Sequence, residues 1–312
     1  MSDDGTVPDD EVYRELRPLL FAIAYRMLSG VADAEDVVQE AFLRYRSATA
    51  AGERVASPRA YLSTVTTRLC IDHLRSARNR HEQSVGTWLP EPVLTGADPA
   101  EHAELADSLS MAFLLLLERL SPVERAVFLL HDVFGYAFDE VAGIVGKSVD
   151  NCRQLALRAR RHVEAGRPRF EADRQRRDEL AARFLAAMGD GDVGALVSLL
   201  AEDVVVQGDS GGGRPAWGRE ITGRDRVARL LAGMSRQIRE AGGTLRASEV
   251  NGQPGALCLA PDGRLVSVFA FDLADGVVTA VRSVINPHKL GHLGELADPR
   301  ELVRASNRRP GR

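Results

Sequence analysis

Between Ser121 and Arg161 the chain reads SPVERAVFLLHDVFGYAFDEVAGIVGKSVDNCRQLALRARR, with apolar residues recurring at helical spacing in three segments. The first carries Val123, Ala126, Val127, Leu129 and Leu130. The second, Phe138 to Val145, stops at Gly146, a residue free to take the positive φ that ends a helix. The third opens at Ser148, a good N-cap, and sets Cys152, Leu155, Ala156 and Ala159 along one side. A short helix, a glycine turn and a basic helix make the sequence form of a helix-turn-helix. From Lys147 to Arg169 there stand Lys147, Arg153, Arg158, Arg160, Arg161, Arg167 and Arg169 against Asp150 and Glu164. Such an excess of positive charge suits a phosphate backbone. An amphipathic core helix with a solvated basic face is the alternative, and the position of the glycine turn weighs against it.

With 312 residues the chain has length for two or three domains, each with its own core. The formal net charge of -4 hides the local excess of arginine, which points to a nucleic-acid partner for one part of the chain only. Cys70, Cys152 and Cys258 are far apart, set among apolar residues and lack metal-ligand spacing. They read as reduced core residues, and no metal or other cofactor is expected. The acidic start, MSDDGTVPDDE, is not a signal peptide, and Met111 to Leu117, the longest apolar run, is too short to span a bilayer. These features predict a soluble cytoplasmic protein without a membrane partner.

Upstream of the helix-turn-helix, residues 1–10 read as a disordered acidic tail. Tyr13, Leu16, Leu19, Leu20, Ile23, Ala24 and Met27 predict an amphipathic helix that closes near Gly30. Asp33 is expected to cap the next, DAEDVVQEAFLRYR, whose Val37, Val38, Ala41, Phe42 and Tyr45 form the apolar stripe. Asp36, Gln39, Glu40, Leu43 and Arg44 lie towards the other side, and on charge patterning alone they are a solvated face. A third helix starts after Ser57-Pro58, with Arg68, Arg75, Arg78, Arg80 and His81 crowding its later turns. Arginines near a helix C-terminus need no function. Tyr61 beside these cations, with Thr66 and Thr67 read as exposed, also fits a stacking surface for single-stranded nucleic acid.

Residues 83–104 have linker composition, yet contain Trp88-Leu89-Pro90-Glu91-Pro92, where the tryptophan either packs on a domain or meets a partner. After Arg174 the pattern becomes two helices, Asp178 to Met188 and VGALVSLLAEDV, then strand-like runs at Val204–Gln207, Gly255–Ala260, Arg264–Leu273 and Gly276–Ile285. A helical stretch, Arg224–Ala241, interrupts the strands, and Ala274-Asp275-Gly276 is a hairpin signal. This is an α+β domain with an antiparallel, concave sheet, followed by a frayed tail after Leu290.

Taken together, DAEDVVQEAFLRYR, PRAYLSTVTTRLCIDHLR and the helix-turn-helix resemble regions two and four of an extracytoplasmic-function (ECF) sigma factor. The remainder resembles a SnoaL-like domain of the NTF2-like superfamily. WLPEP in the linker, DSGGGR at Asp209–Arg214 and NPHKL at Asn286–Leu290 are similar to the ECF subgroup that carries this extension. The implied layout is a multidomain chain: all-α region two at 11–82, linker at 83–104, region four at 105–170, an α+β cone at 171–290 and a tail at 291–312.

By this resemblance Asp33, Glu35, Asp36, Gln39 and Glu40 would face the clamp helices of the RNA polymerase β′ subunit, with the β subunit also contacted. Tyr61, Arg68, Asp72, Arg75 and Arg78 would melt and read a promoter's minus-ten element. Tyr61 stands where most of the family has tryptophan, and Arg68 where most has asparagine. Ser148, Asn151, Arg153, Gln154 and Arg158 would meet the minus-thirty-five element in promoter DNA, with Arg153 able to take guanine O6 and N7 together. Trp88, Pro90, Asp209, Gly212, Arg214, Asn286, Pro287 and Lys289 would make regulatory contacts in place of a separate anti-sigma protein; His288 replaces an aspartate of that motif. Asp203, Asp209, Trp217, Arg224 and His288 could line a pocket for a small ligand, but no acid–base pair converges and no enzyme is expected. Two other readings stand beside the sigma factor: a helix-turn-helix regulator with a ligand-sensing domain, and a cyclase or isomerase with a nucleic-acid module.

Overall fold

The computed structural model describes residues 9–81, 88–95, 107–166, 173–211 and 220–307. Its contacts divide the chain into two compact units, residues 1–82 with 116–167, and residues 83–115 with 168–312. The linker segment falls with the second unit.

In the first unit α1 (Asp9–Leu28), α2 (Val31–Ala50) and α3 (Pro58–His81) pack against one another. The stripes anticipated from periodicity are the ones buried: Leu20, Ile23 and Met27 from α1, Val37, Val38, Ala41 and Phe42 from α2. Tyr13 lies against Phe42 with ring centroids 4.6 Å apart, and Tyr45 meets Tyr61 edge-on at 5.9 Å.

As expected, α1 closes near Gly30: it ends at Leu28, Ser29 takes the left-handed conformation (φ 59), and Gly30 is extended (φ -123) as the N-cap of α2. Two local expectations are corrected. Asp33 therefore sits inside the first turn of α2, where the dipole favours it, and caps nothing. Thr66 and Thr67 are fully buried, and neither hydroxyl has a hydrogen-bond partner among the described residues. Their methyl groups let them pass as core residues on the inner side of α3, so they offer no surface to nucleic acid.

Downstream come α4 (Met111–Leu117), α5 (Pro122–Phe128), a π-helical turn (Leu129–Val133), α6 (Phe138–Val145) and α7 (Val149–Gly166). Ser121 and Glu124 form a capping box at the start of α5. Gly146 (φ 66) ends α6, and Ser148 Oγ accepts the N–H of Asn151 at 3.3 Å to begin α7. The helix-turn-helix is built as the glycine and serine foretell, with Cys152, Leu155, Ala156, Ala159 and Val163 on the buried side of α7.

In the second unit α8 (Arg174–Asp190), α9 (Val193–Leu199) and α10 (Arg224–Glu240) accompany a sheet of β1 (Leu200–Asp209), β2 (Ile221–Thr222), β3 (Thr244–Val250), β4 (Gln253–Leu259), β5 (Leu265–Ala274) and β6 (Val277–Val284), ordered β2-β1-β6-β5-β4-β3. The sheet is not antiparallel throughout, because β1 runs parallel to β6. VGALVSLLAEDV is helical only to Leu199, and its last residues open β1. The expected hairpin joins β5 to β6 through Asp275 (φ 52) and Gly276 (φ 75). The polar C-terminal segment is not frayed over its described length: α11 (Pro299–Asn307) packs on α10 and buries Leu302.

Alternation along the strands makes two apolar layers. Phe269, Phe271 and Val281 join Phe184, Met188 and Leu231 from the helices. Val268, Ala270, Val284, Val250 and Leu257 face the other way, and Leu89, Met111 and Leu290 cover them.

Candidate nucleic-acid and linker-binding sites

The solvent side of α7 carries Asn151, Arg153, Gln154, Leu157, Arg158 and Arg161, all exposed and at helical spacing. Arg153 donates to Asp150 at 3.1 Å, and its guanidinium lies 5.9 Å from the Phe138 ring centroid. Arg158 approaches Glu124 at 3.5 Å. Both guanidinium groups are exposed, and pairs at the surface are weak restraints, worth at most about 1 kcal/mol each, so both arginines can turn to another acceptor. Ser148 has a structural task already, the cap of α7.

On α3, Tyr61 is half-buried against Tyr45, while Asp72 and Arg75 are exposed and 3.5 Å apart. Arg78 belongs to the helix, but its side chain lies outside the described residues. Arg68 reaches the end of α6, where its Nε donates to the Ile144 carbonyl at 2.9 Å and its Nη2 to Gly143 at 3.0 Å.

The acidic face of α2 is partly engaged within the chain. Glu35 binds Arg17 at 2.9 Å, Glu40 binds Arg44 at 2.7 Å, and Asp33 lies 3.7 Å from His73. Asp36 and Gln39 are exposed, and Leu43 beside them is 57% exposed. Asp36, Gln39 and Leu43, at i, i+3 and i+7, thus set an apolar side chain beside polar ones in one exposed strip.

The second unit grips its own linker. Leu89 is buried, and its N–H donates to Asp209 Oδ2 at 3.0 Å. Lys289 Nζ binds the same oxygen at 2.7 Å, donates to the Leu89 carbonyl, and lies 4.3 Å from the Trp88 ring centroid. Asp209 Oδ1 accepts the N–H of Gly211 at 2.9 Å, while its main-chain oxygen accepts those of Ile285 and Asn286. Asn286 in turn caps the turn that presents Lys289, through His288 N–H at 3.1 Å. Further along, Pro90 and Pro92 are buried, and Leu94 bridges to Val250 on the edge strand β3. Asn251 ties Val93 (3.0 Å) and the Leu109 carbonyl (3.0 Å) to the β3–β4 turn, and His292 meets the Pro92 carbonyl at 2.8 Å. An edge strand covered in this way is protected from pairing elsewhere.

Among the residues singled out, Trp88, Pro90, Asp209, Asn286 and Lys289 therefore come together, with Pro287 in the same short turn. Gly212, Arg214 and Trp217 lie outside the described residues. The suggested pocket set does not converge: Asp203 and His288 are exposed, Arg224 is half-buried at the start of α10, and Asp209 is spent on the linker. A cavity of about 370 Å³ lies elsewhere, between Leu185, Ser235, Ile238, Arg239 and Leu245. Among the described residues no group of His, Cys, Asp and Glu could hold a metal, and no helix is long and apolar enough to cross a membrane.

Two family models match the helical part of the chain. Sigma-70 region 2 matches residues 12–80 and Sigma-70 region 4 matches residues 110–163. The ECF RNA polymerase sigma factor SigJ of Mycobacterium tuberculosis is 41% identical over 290 residues, covering 89% of this chain and 91% of the relative. The probable ECF RNA polymerase sigma factor SigI of the same organism is 32% identical over 289 residues, covering 92% and 96%. The chain belongs to the ECF sigma factors. The crystal structure of M. tuberculosis SigJ matches it with a TM-score of 0.72 at 39% identity, over 90% of this chain and 98% of that one. Within this sigma factor α1–α3 make region two, and α5–α7 make the helix-turn-helix of region four. The family's helical regions are thus followed by an α+β sheet domain, as the sequence implied.

Sequence reasoning missed several functional-looking residues. Arg125, only 2% exposed, donates to Glu118 at 2.9 Å and to the Met27 carbonyl, and nothing in ERAVF marks its arginine as internal. Tyr136 shares a buried hydrogen bond of 2.8 Å with Ser63. Asn251 was legible: Asn-Gly between EV and QPG is a strong two-residue hairpin signal, and both residues take positive φ.

Proposed function

We propose that this chain is a promoter-specificity subunit whose own C-terminal domain stands in for a separate anti-sigma protein. It binds core RNA polymerase in the cytoplasm, and with it directs initiation at promoters carrying minus-ten and minus-thirty-five elements. Asp36, Gln39 and Leu43 of α2 dock on the β′ clamp, Leu43 supplying apolar contact and the Asp36 carboxylate and Gln39 amide the orientation, with Asp33, Glu35 and Glu40 at the rim. Tyr61, Arg68, Asp72, Arg75 and Arg78 serve the melted minus-ten strand through stacking and phosphate contacts. Asn151, Arg153, Gln154 and Arg158 read the minus-thirty-five duplex in the major groove, behind the Ser148 cap. The chain has no catalytic task in this reading, since its acid and base candidates are exposed or committed to the linker.

The observation that carries the regulatory part is the grip of Asp209 and Lys289 on Trp88-Leu89. The segment that joins region two to region four is bound by the C-terminal domain, so the state of that domain sets the reach between the two modules. Run-off transcription with core polymerase tests it, comparing the wild-type chain with Asp209→Asn and Lys289→Met. Promoter-specific transcripts whose yield differs at least severalfold between wild type and variants are expected. Equal yields would remove the clamp from regulation, and duplex binding without any transcript would favour a helix-turn-helix regulator, for which the α2 strip has no use.

A further inference from the structure

Arg68 occupies a position that the promoter reading assigns to DNA, yet its guanidinium is already bound. Its two acceptors, the carbonyls of Gly143 and Ile144, belong to the last turn of α6. A helix end leaves such carbonyls without internal partners and carries the negative end of the dipole, so a cation there is well placed. A second tie lies beside it: Ser63 and Tyr136 share their buried hydrogen bond, and the Arg59 guanidinium sits 5.8 Å from the Tyr136 ring centroid. Tyr136 belongs to the turn that leads into α6, so the helix bearing the minus-ten candidates is fastened to the segment that introduces the recognition helix.

We propose that Arg68 is a latch with two alternative partners: it holds region two against the helix-turn-helix in the free chain and exchanges those carbonyls for DNA phosphate when a promoter is engaged. The inference rests on the reading of α3 and α7 as the two promoter surfaces. Elements centred near positions ten and thirty-five are separated by roughly 25 base pairs, or about 85 Å at about 3.4 Å per pair. Bonds of 2.9 and 3.0 Å between the two modules cannot persist across that span. Carbonyl and phosphate oxygens accept from the same guanidinium donors, so the exchange replaces like with like. Arg68 is exposed while the Ser63–Tyr136 bond is buried, which lets an incoming strand compete for Arg68 first.

Thiol accessibility in the full chain tests the latch. Ser63 is fully buried, so in a Ser63→Cys chain the thiol at position 63 reacts with a disulfide reagent only when α3 and the helix-turn-helix part. Native Cys70, buried on α3, reports unfolding of region two itself. Adding Arg68→Ala should accelerate modification at position 63 by roughly tenfold, the loss of one net charge-assisted interaction, and leave Cys70 unchanged. Arg68→Gln should fall between. Core polymerase with promoter DNA should likewise accelerate position 63 in the Arg68 chain. Equal rates at position 63 with and without Arg68, or parallel acceleration of Cys70, would overturn the latch. The DNA role is read separately, from the affinity of Arg68→Ala for a single-stranded minus-ten oligonucleotide; an unchanged affinity would overturn the exchange of the carbonyls for DNA phosphate, and with it the promoter-surface assignment of Arg68.

Discussion

The carboxylate of Asp209 holds the main-chain N–H of Leu89 at 3.0 Å, across 120 residues of sequence. The same oxygen neutralises Lys289, whose side chain is only 11% exposed. Removing the carboxylate leaves a largely buried ammonium beside a backbone donor without its acceptor, and each loss is costly in a low-dielectric setting. Asp209→Ala should destabilise the second unit by about 3 kcal/mol or more, and Asp209→Asn by less. Hydrogen exchange at the Leu89 amide is the direct check. Its protection should fall at least tenfold in either variant, and unchanged protection would show that other contacts hold the linker.

Arg125 is, with Arg26, one of the buried charged residues of the first unit. It joins α5 to the C-terminal end of α1 through the Met27 carbonyl, while Glu118 supplies the counter-charge and also accepts from Ser29 Oγ at 3.4 Å. Truncation to Ala strands Glu118 and leaves a void, so a loss of about 3–5 kcal/mol is expected. Arg125→Met keeps much of the volume and should cost clearly less. Denaturant unfolding of the three proteins measures the order. An equal loss for Ala and Met would mean that the charge, not the packing, is what the site requires.

Glu124 gives the capping box a pH signature. Burial pushes its carboxyl up, but the hydroxyl and N–H of Ser121, at 2.6 and 3.1 Å, and the positive charges of Arg158 and His162 outweigh that. The net effect holds Glu124 below the usual carboxylate range. Because the folded-state pKa is depressed, the contribution is complete above the unfolded value, about 4.3, and is lost as pH falls through the folded one. Glu124→Gln should therefore be less stable than wild type by about 1 kcal/mol at neutral pH, and the two should converge as pH falls through the depressed folded-state value. Unfolding curves across that range decide it, and a constant gap at all pH values would rule out the ionised form as the source.

Much of this was legible wherever local chemistry decides the conformation. Gly146 and Ser148 mark the turn of the helix-turn-helix because only a few residues tolerate those positions. Asp275-Gly276 marks the β5–β6 hairpin for the same reason. What escaped was decided by distant neighbours. Threonine is amphipathic enough to lie on either side of a helix, so Thr66 and Thr67 became internal only when α3 met its neighbours. The arginine of ERAVF became internal because Glu118 and a helix end supplied its partners. For the linker, composition alone suggested a free segment, whereas Leu89, Pro90 and Pro92 are apolar enough to be drawn onto the sheet once Asp209 and Lys289 fix the backbone beside them.

Arg153 separates base reading from backbone attraction. It is exposed on α7 between Asn151 and Gln154, and among the described residues it is held by Asp150 on its own helix and by the face of Phe138. A guanidinium so lightly restrained can swing to a base edge, where bidentate contact with guanine is worth about 1–3 kcal/mol of discrimination. Arg153→Ala should weaken binding to a guanine-bearing minus-thirty-five duplex by about tenfold or more at fixed salt, and should flatten the preference at that base pair. Neutralising Arg161, further along the same solvent side, should instead weaken all duplexes alike and reduce the slope of log affinity against log salt by about one. Titrations at several salt concentrations distinguish the two. If Arg153→Ala lowers the affinity for every duplex equally, the residue is a phosphate contact, and the base preference must come from Asn151 and Gln154, whose amides can pair with adenine N6 and N7.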